Sequence, residues 1–219
     1  MSKNIHLYYY ELKYKLTYIV INGVFMGSYI EDLAVNYISK SINITKDEES
    51  IIRYGMQIVY YNSSKFAIIL LAALFLGIIS EVCTVFIIMA TIRSFAFGFH
   101  ADNSLPCVFL TFINIFGVVY FSLFDLSLLI KIILSLVAFI LFAVYAPADT
   151  EERPLVDCRK RKKFKIIVMI IWFTYVILAC FVEKQLSNMI VLSLFFMAFN
   201  TCPILYILFK KEYNNYEKC

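Results

Sequence analysis

Long apolar stretches alternate with short polar breaks, at about residues 66–80, 82–97, 108–123, 126–146, 166–182 and 186–209. A helical crossing of a bilayer takes about 20 residues. The last four stretches therefore predict full spans, and the first two a shorter hairpin, tilted or partly sunken. Three small breaks, Ser80-Glu81, Asp125 and Glu183-Lys184, join the members of each pair. Longer polar segments lie between the pairs. Upstream, Thr45-Lys46-Asp47-Glu48 has the form of a capping box and predicts a helix running through about Asn62. Its polar positions Arg53, Gln57, Tyr61 and Ser64 recur every three or four residues against Ile51, Ile52, Ile58 and Val59. That pattern predicts a helix lying along the bilayer surface. Residues 16–30 are apolar but hold Asn22, Gly23 and Gly27, which predicts an interfacial or helix-packing element. The fold class expected is all-α and polytopic, with about six membrane segments. Amphipathic helices in residues 1–64 precede a membrane-embedded region at 65–219.

Composition removes the soluble alternative. Hydrophobic residues make up 62% of the 219-residue chain and charged residues only 16%, against about a quarter in soluble domains. Net charge is +4, and its distribution says more than its size. Of the 20 basic residues, only Lys131 and Lys184 lie near the three small breaks. Nearly all the rest gather in the N-terminal region, the long loop at 149–165, the tail, and at Arg93 near the central loop. Positive charge is retained on the cytoplasmic side, so both termini and both central loops are expected there. Three hairpins satisfy that assignment. The start of the chain lacks a short apolar core followed by small residues, so no cleaved signal peptide is expected. The cysteines at 83, 107, 158, 180, 202 and 219 form no C-x-x-C pair. Neither a disulfide framework nor a metal site is expected, and Cys158 reads as a free, idle thiol rather than a lipidated or reactive one.

The central loop carries the candidate chemistry. In His100-Ala101-Asp102-Asn103-Ser104-Leu105-Pro106-Cys107, one of two histidines in the chain stands seven residues before a cysteine. Both lie at the foot of a membrane segment, where an imidazole can serve a thiol as general base. Asn103 or Ser104 suits an N-cap, and Pro106 suits the first helical turn. Cys107 would then lie near the positive end of a helix dipole, which favours a thiolate. Asp102 or Asn103 is placed to orient the imidazole. Cysteines and histidines at span boundaries also serve simply in packing and at interfaces. Arg93, seven residues before His100, is costly at such depth and is either functional or snorkels to lipid phosphate. Gly98 either permits close backbone approach beside His100 or ends a helix.

These residues resemble the accessory gene regulator B family of bacterial membrane cysteine endopeptidases. The similar pattern is Arg93, Gly98, His100-Ala101 and Cys107; where the family often has two glycines, this chain has Phe97-Gly98. Tyr54-Gly55 and the stretch Ala146-Pro147-Ala148-Asp149-Thr150-Glu151-Glu152-Arg153-Pro154 match in character, and the likeness covers roughly residues 50–209. The resemblance implies a quorum-sensing step in which a small precursor peptide is cleaved near its C-terminal end. Cys107 would form an acyl-thioester with His100 as base. A cysteine or serine of the peptide would then close a thiolactone or lactone. It also implies a homodimer.

Arg159, Lys160, Arg161, Lys162 and Lys163 are five consecutive cations. They read either as a topology determinant beside anionic lipid or as a cradle for a precursor peptide's acidic tail. The partners expected are that peptide and the bilayer, with no cofactor, no metal and no nucleic acid. The rival reading is a small transporter or peptide exporter. Such proteins place charged or broken-helix groups at the midplane, where these spans offer little beyond Asn114 and Asn200. A membrane scaffold without chemistry is the third possibility.

Overall fold

The structure is a computed structural model that describes residues 32–33, 35–38, 45–98, 104–149, 155 and 157–208; the side chains at 57, 58, 61, 104–107 and 208 are outside that description. The chain divides into two compact units, residues 1–69 and 70–219. The described residues form seven named helices: α1 (Lys46–Leu76), α2 (Ile79–Ala96), α3 (Ser104–Ser122), α4 (Leu128–Tyr145), α5 (Cys158–Phe181), α6 (Lys184–Phe199) and α7 (Pro203–Leu208). The protein is a polytopic helical membrane protein. Among the described residues, α2, α4 and α5 are long and apolar enough to cross a bilayer, while residues 62–76, 108–122 and 184–199 form shorter apolar helices or helix portions.

In the first unit the expected capping box is present. The Thr45 N–H donates to Glu48 Oε2 at 2.8 Å, and the Glu48 N–H donates to Thr45 Oγ1 at 3.3 Å. The Thr45 backbone bond does most to hold the Glu48 carboxyl below the ordinary carboxylate range. This stabilisation is complete above the unfolded pKa and is lost as pH falls through the lowered folded value. Arg53 pairs with Asp32 at 2.6 Å and with Glu49 at 3.0 Å. The helix does not stop near Asn62 as expected but runs on to Leu76. Nothing between Asn62 and Lys65 breaks a helix, so a change of polarity along the axis is not a change of backbone. The apolar element expected at 16–30 lies outside the described residues.

The second unit opens with a glycine turn. Gly77 has φ 69°, the Ile78 N–H reaches Ala73 O at 3.0 Å, and the Gly77 N–H reaches Leu74 O at 3.2 Å. This double bond pattern closes the end of α1 and reverses the chain into α2. The helix α6 lies at the centre, packed against α2, α3, α4 and α5. Every residue from Ser187 to Leu194 on it is buried. Its polar positions are therefore turned toward protein rather than lipid. Ser127 and Asp157 cap α4 and α5 through their side chains. The last apolar segment, expected to run to 209, is broken after Phe199. Pro203 follows a turn at Asn200–Cys202, and proline disfavours helical backbone in the residue before it.

Asn188 shows what such a buried polar side chain does. Its Nδ2 donates to Ser122 O at 2.9 Å and to Phe124 O at 3.0 Å, where α3 ends. Nearby, Lys131 Nζ donates to Ser187 Oγ at 3.0 Å, and Lys184 pairs with Asp125 at 2.6 Å. The two small polar breaks at Asp125 and Glu183-Lys184 thus share one end of the bundle, as the hairpin pattern predicts. Carbonyls at a helix end have no partner within the helix, and in an apolar surround each orphan costs about 1–3 kcal/mol. Asn188→Leu keeps the volume and removes both bonds. It is expected to lower stability by about 1–3 kcal/mol, measured by thermal unfolding in detergent; an unchanged midpoint would show that these bonds contribute nothing net.

Candidate functional site

His100 and Asp102 lie outside the described residues. Cys107 is the fourth residue of α3, which begins at Ser104. Pro106 and Cys107 therefore occupy the opening turn of that helix, at the end where unpaired N–H groups and the dipole favour an anion. What the structure describes in detail is the platform from which the chain leaves α2 toward His100.

Arg93 is in the last turn of α2, and its carbonyl accepts the Phe97 N–H at 3.1 Å. Phe97 then adopts φ 56° and ψ −120°. That is the mirror image of the first central position of a type II turn, a conformation L-residues avoid and glycine accepts. Here the phenylalanine is held by its ring, which packs on Phe164 at 5.8 Å between centroids, as does that of Phe95. Gly98 follows with φ 107°. A Cβ there would lie 3.0 Å from the carbonyl oxygen of Asn200 at the end of α6. Both reasons for glycine named in the sequence, the helix end and the close approach, apply together.

The turn is tied down from its other side by the loop after α4. Phe97 and Ala148 form an isolated parallel bridge: the Gly98 N–H donates to Ala148 O at 3.1 Å, and the Ala148 N–H donates to Ala96 O at 2.9 Å. The next residue, Asp149, is 0% exposed. Its Oδ2 pairs with Arg161 Nη2 at 2.7 Å and accepts the Leu155 N–H at 3.4 Å. Arg161 Nη1 also donates to Pro147 O at 3.4 Å. Asp149 Oδ1 is buried without a hydrogen-bond partner.

This arrangement divides the five cations. Arg159, Lys160, Lys162 and Lys163 differ from Arg161, whose side chain is only 13% exposed. The first two, with Lys162 and Lys163, are positioned by a cap at Asp157, whose carboxylate accepts the Arg159 N–H at 2.9 Å. A helix N-terminus is a poor place for cations, so helix stability does not explain them. Cys158, expected as a free thiol, is instead disulfide-bonded. Separation along the sequence does not measure distance across a fold. Cys83, Cys180 and Cys202 carry free thiols. Among the described residues, no three His, Cys, Asp or Glu side chains gather as metal ligands.

Asp149 and Asn200 are the contributors that sequence reasoning did not assign to this region. An acid at the edge of an apolar span was the available signal for Asp149. Nothing in the sequence links Asn200 to Gly98.

A glycine-dependent turn at the end of α2, bonded to the loop after α4, belongs to a polytopic helical membrane protein with a buried ion pair beside that turn. Residues 31–201 match the family described as Accessory gene regulator B, and the chain belongs to that family. It is 32% identical over 177 residues to a putative AgrB-like protein of Listeria innocua, covering 78% of this chain and 86% of that one. A putative AgrB-like protein of Clostridium acetobutylicum is 30% identical, with 75% and 80% covered. The accessory gene regulator protein B of Staphylococcus intermedius is 28% identical, with 80% and 93% covered. No solved structure matches the chain.

Gly98→Ala tests the platform. Both the positive φ and the contact with Asn200 oppose a Cβ, and a strained backbone of this kind costs about 1–3 kcal/mol. The expected result is a lower unfolding midpoint, with Gly117→Ala, whose added Cβ meets nothing within 4 Å, much less affected. Equal midpoints for the two variants would remove the structural requirement for glycine at 98.

Proposed function

We propose that the protein is a membrane-embedded cysteine endopeptidase of bacterial quorum sensing. It cleaves the C-terminal tail from an autoinducer precursor peptide and promotes cyclisation of the remainder. Membership of the accessory gene regulator B family supports this reading. So does the position of Cys107 in the first turn of α3, seven residues after His100. That placement is the observation that carries it.

In the proposed reaction His100 takes the Cys107 proton, and the thiolate Sγ attacks the scissile carbonyl. The C–N bond breaks, and the leaving amine takes its proton from the imidazolium. A thiol or hydroxyl of the bound peptide then attacks the acyl-thioester, forming a thiolactone or lactone and returning the Cys107 thiol. Exchange of an acyl group between thiols is nearly isoenergetic, so the competing loss is hydrolysis. A site at the bilayer edge limits water and holds the internal nucleophile near, where effective molarities reach about 10⁵ M and above. His100 and Cys107 face the cytoplasm in this reading. The functional unit is a homodimer.

Co-expression of candidate precursor peptides with wild type, Cys107→Ala and His100→Ala, followed by mass spectrometry, tests the chemistry. Both variants are expected to lose processing by about 10³-fold or more, in line with removal of a nucleophile or its base. Intact processing in either one removes the role assigned to that residue.

The exposed cations Arg159, Lys160, Lys162 and Lys163 are read as a cradle for the acidic tail of the precursor. Neutralising these four is expected to weaken processing more at low salt than at about 1 M, where screening acts within about 3 Å. The same loss at every salt concentration would favour a role in topology alone.

A further inference from the structure

We infer that Asp149 and Arg161 act as a positioning pair for the proposed peptidase, fixing the turn that presents His100, and that Arg161 therefore stands apart from the peptide-binding cations. This rests on the reading just given and assigns residues within it. Three observations converge on the same turn.

The first is connectivity. Gly98 is bonded to Ala148 and abuts the carbonyl of Asn200. His100 is two residues further on, and consecutive Cα atoms are about 3.8 Å apart. The chain therefore leaves for His100 from residues 96–98, which are held by 147–149.

The second is the inner face of α5. Arg161, Phe164 and Val168 recur at three- and four-residue spacing and so share one face. Phe164 packs on Phe95 and Phe97, and Val168 is buried. Arg161 grips the loop bonded to that turn, through the Asp149 carboxylate and Pro147 O. Five cations in a row span more than one helical turn, so they cannot all face the same way. Arg161 is the one that faces inward.

The third is electrostatic. Asp149 is wholly buried, with one carboxylate oxygen lacking any hydrogen-bond partner. A buried carboxylate that loses its cation is left uncompensated and draws its segment toward water. Movement of 147–149 would carry Gly98 with it through the two backbone bonds, and so displace His100. The pair acts through the histidine and touches no reacting atom.

The test reads the thiol directly. Full-length protein in membrane vesicles, after thiol reduction, is treated with iodoacetamide, and the alkylation rate at each cysteine is followed by mass spectrometry. Asp149→Asn and Arg161→Met are expected to slow alkylation of Cys107 about 10-fold, because an unassisted thiol is only a few per cent thiolate near pH 7. Cys202, 3% exposed, reports the fold, and should stay protected. Lys184→Met, at the Asp125 end of the bundle, should leave the Cys107 rate unchanged. Wild-type reactivity of Cys107 in both pair variants, with Cys202 protected, overturns the inference. Should either variant expose Cys202, Arg161→Lys decides: it keeps the charge but loses the guanidinium fork. About a 3-fold slowing then supports the pair, and no slowing overturns it. In peptide processing the pair variants should lower kcat with KM little changed, whereas loss of the exposed cations should raise KM. Processing that survives Cys107→Ala would remove the peptidase while leaving the alkylation contrast intact, so the two failures are distinct.

Discussion

A backbone polar group that leaves a helix inside an apolar envelope has no water to turn to, and this constraint explains where the protein keeps its polar side chains. At the end of α3 the carbonyls of Ser122 and Phe124 are claimed by the amide of Asn188. At the end of α1 the chain reverses through Gly77 with two of its carbonyls bonded. At the end of α2 the Ala96 carbonyl and the Gly98 N–H are claimed by Ala148. The solution at Gly77 is local, while the other two bring in residues distant in sequence and lie on or beside α6. That helix is short and polar for a span because its neighbours, rather than lipid, surround it.

The same constraint shapes the polar end of the molecule. A loop that must hydrogen-bond to residues 96–98 is drawn into the protein, and Asp149 is drawn in with it. A buried carboxylate requires a cation, which Arg161 supplies at 2.7 Å. One arginine of a basic run is thereby taken out of the solvent, while its neighbours at 159, 160, 162 and 163 remain exposed. A uniform block of charge in the sequence becomes two groups in different surroundings.

The departure at Phe97 illustrates how packing can stand in for glycine. A positive φ costs an L-residue about 1–3 kcal/mol. The ring contact with Phe164 offsets part of that cost, since aromatic pairs contribute about 0.5–1.5 kcal/mol beyond their burial. The contact comes from α5, the helix that also provides Arg161. Backbone strain, ring packing and ion pair thus converge on the turn at 96–98 and the loop bonded to it.

Hydropathy and punctuation alone determined that the chain is helical and polytopic, because the bilayer leaves few ways to satisfy a backbone and helices are local structures. They also predicted the capping box at Thr45, the small breaks at Asp125 and Glu183-Lys184, and a helix opening just before Cys107. Arg93, Gly98, His100 and Cys107 stood out through their types and spacing. Continuity of α1 through Asn62, the halt of α6 at Phe199 and the bonded state of Cys158 were not legible from polarity or spacing. Only the tertiary structure decided that Gly98 needs its missing side chain because of Asn200, that Asp149 is buried beside the same turn, and that Arg161 faces inward. Those facts depend on contacts between residues from 12 to about a hundred positions apart, set by how helices pack, which the periodicity of any single helix does not encode.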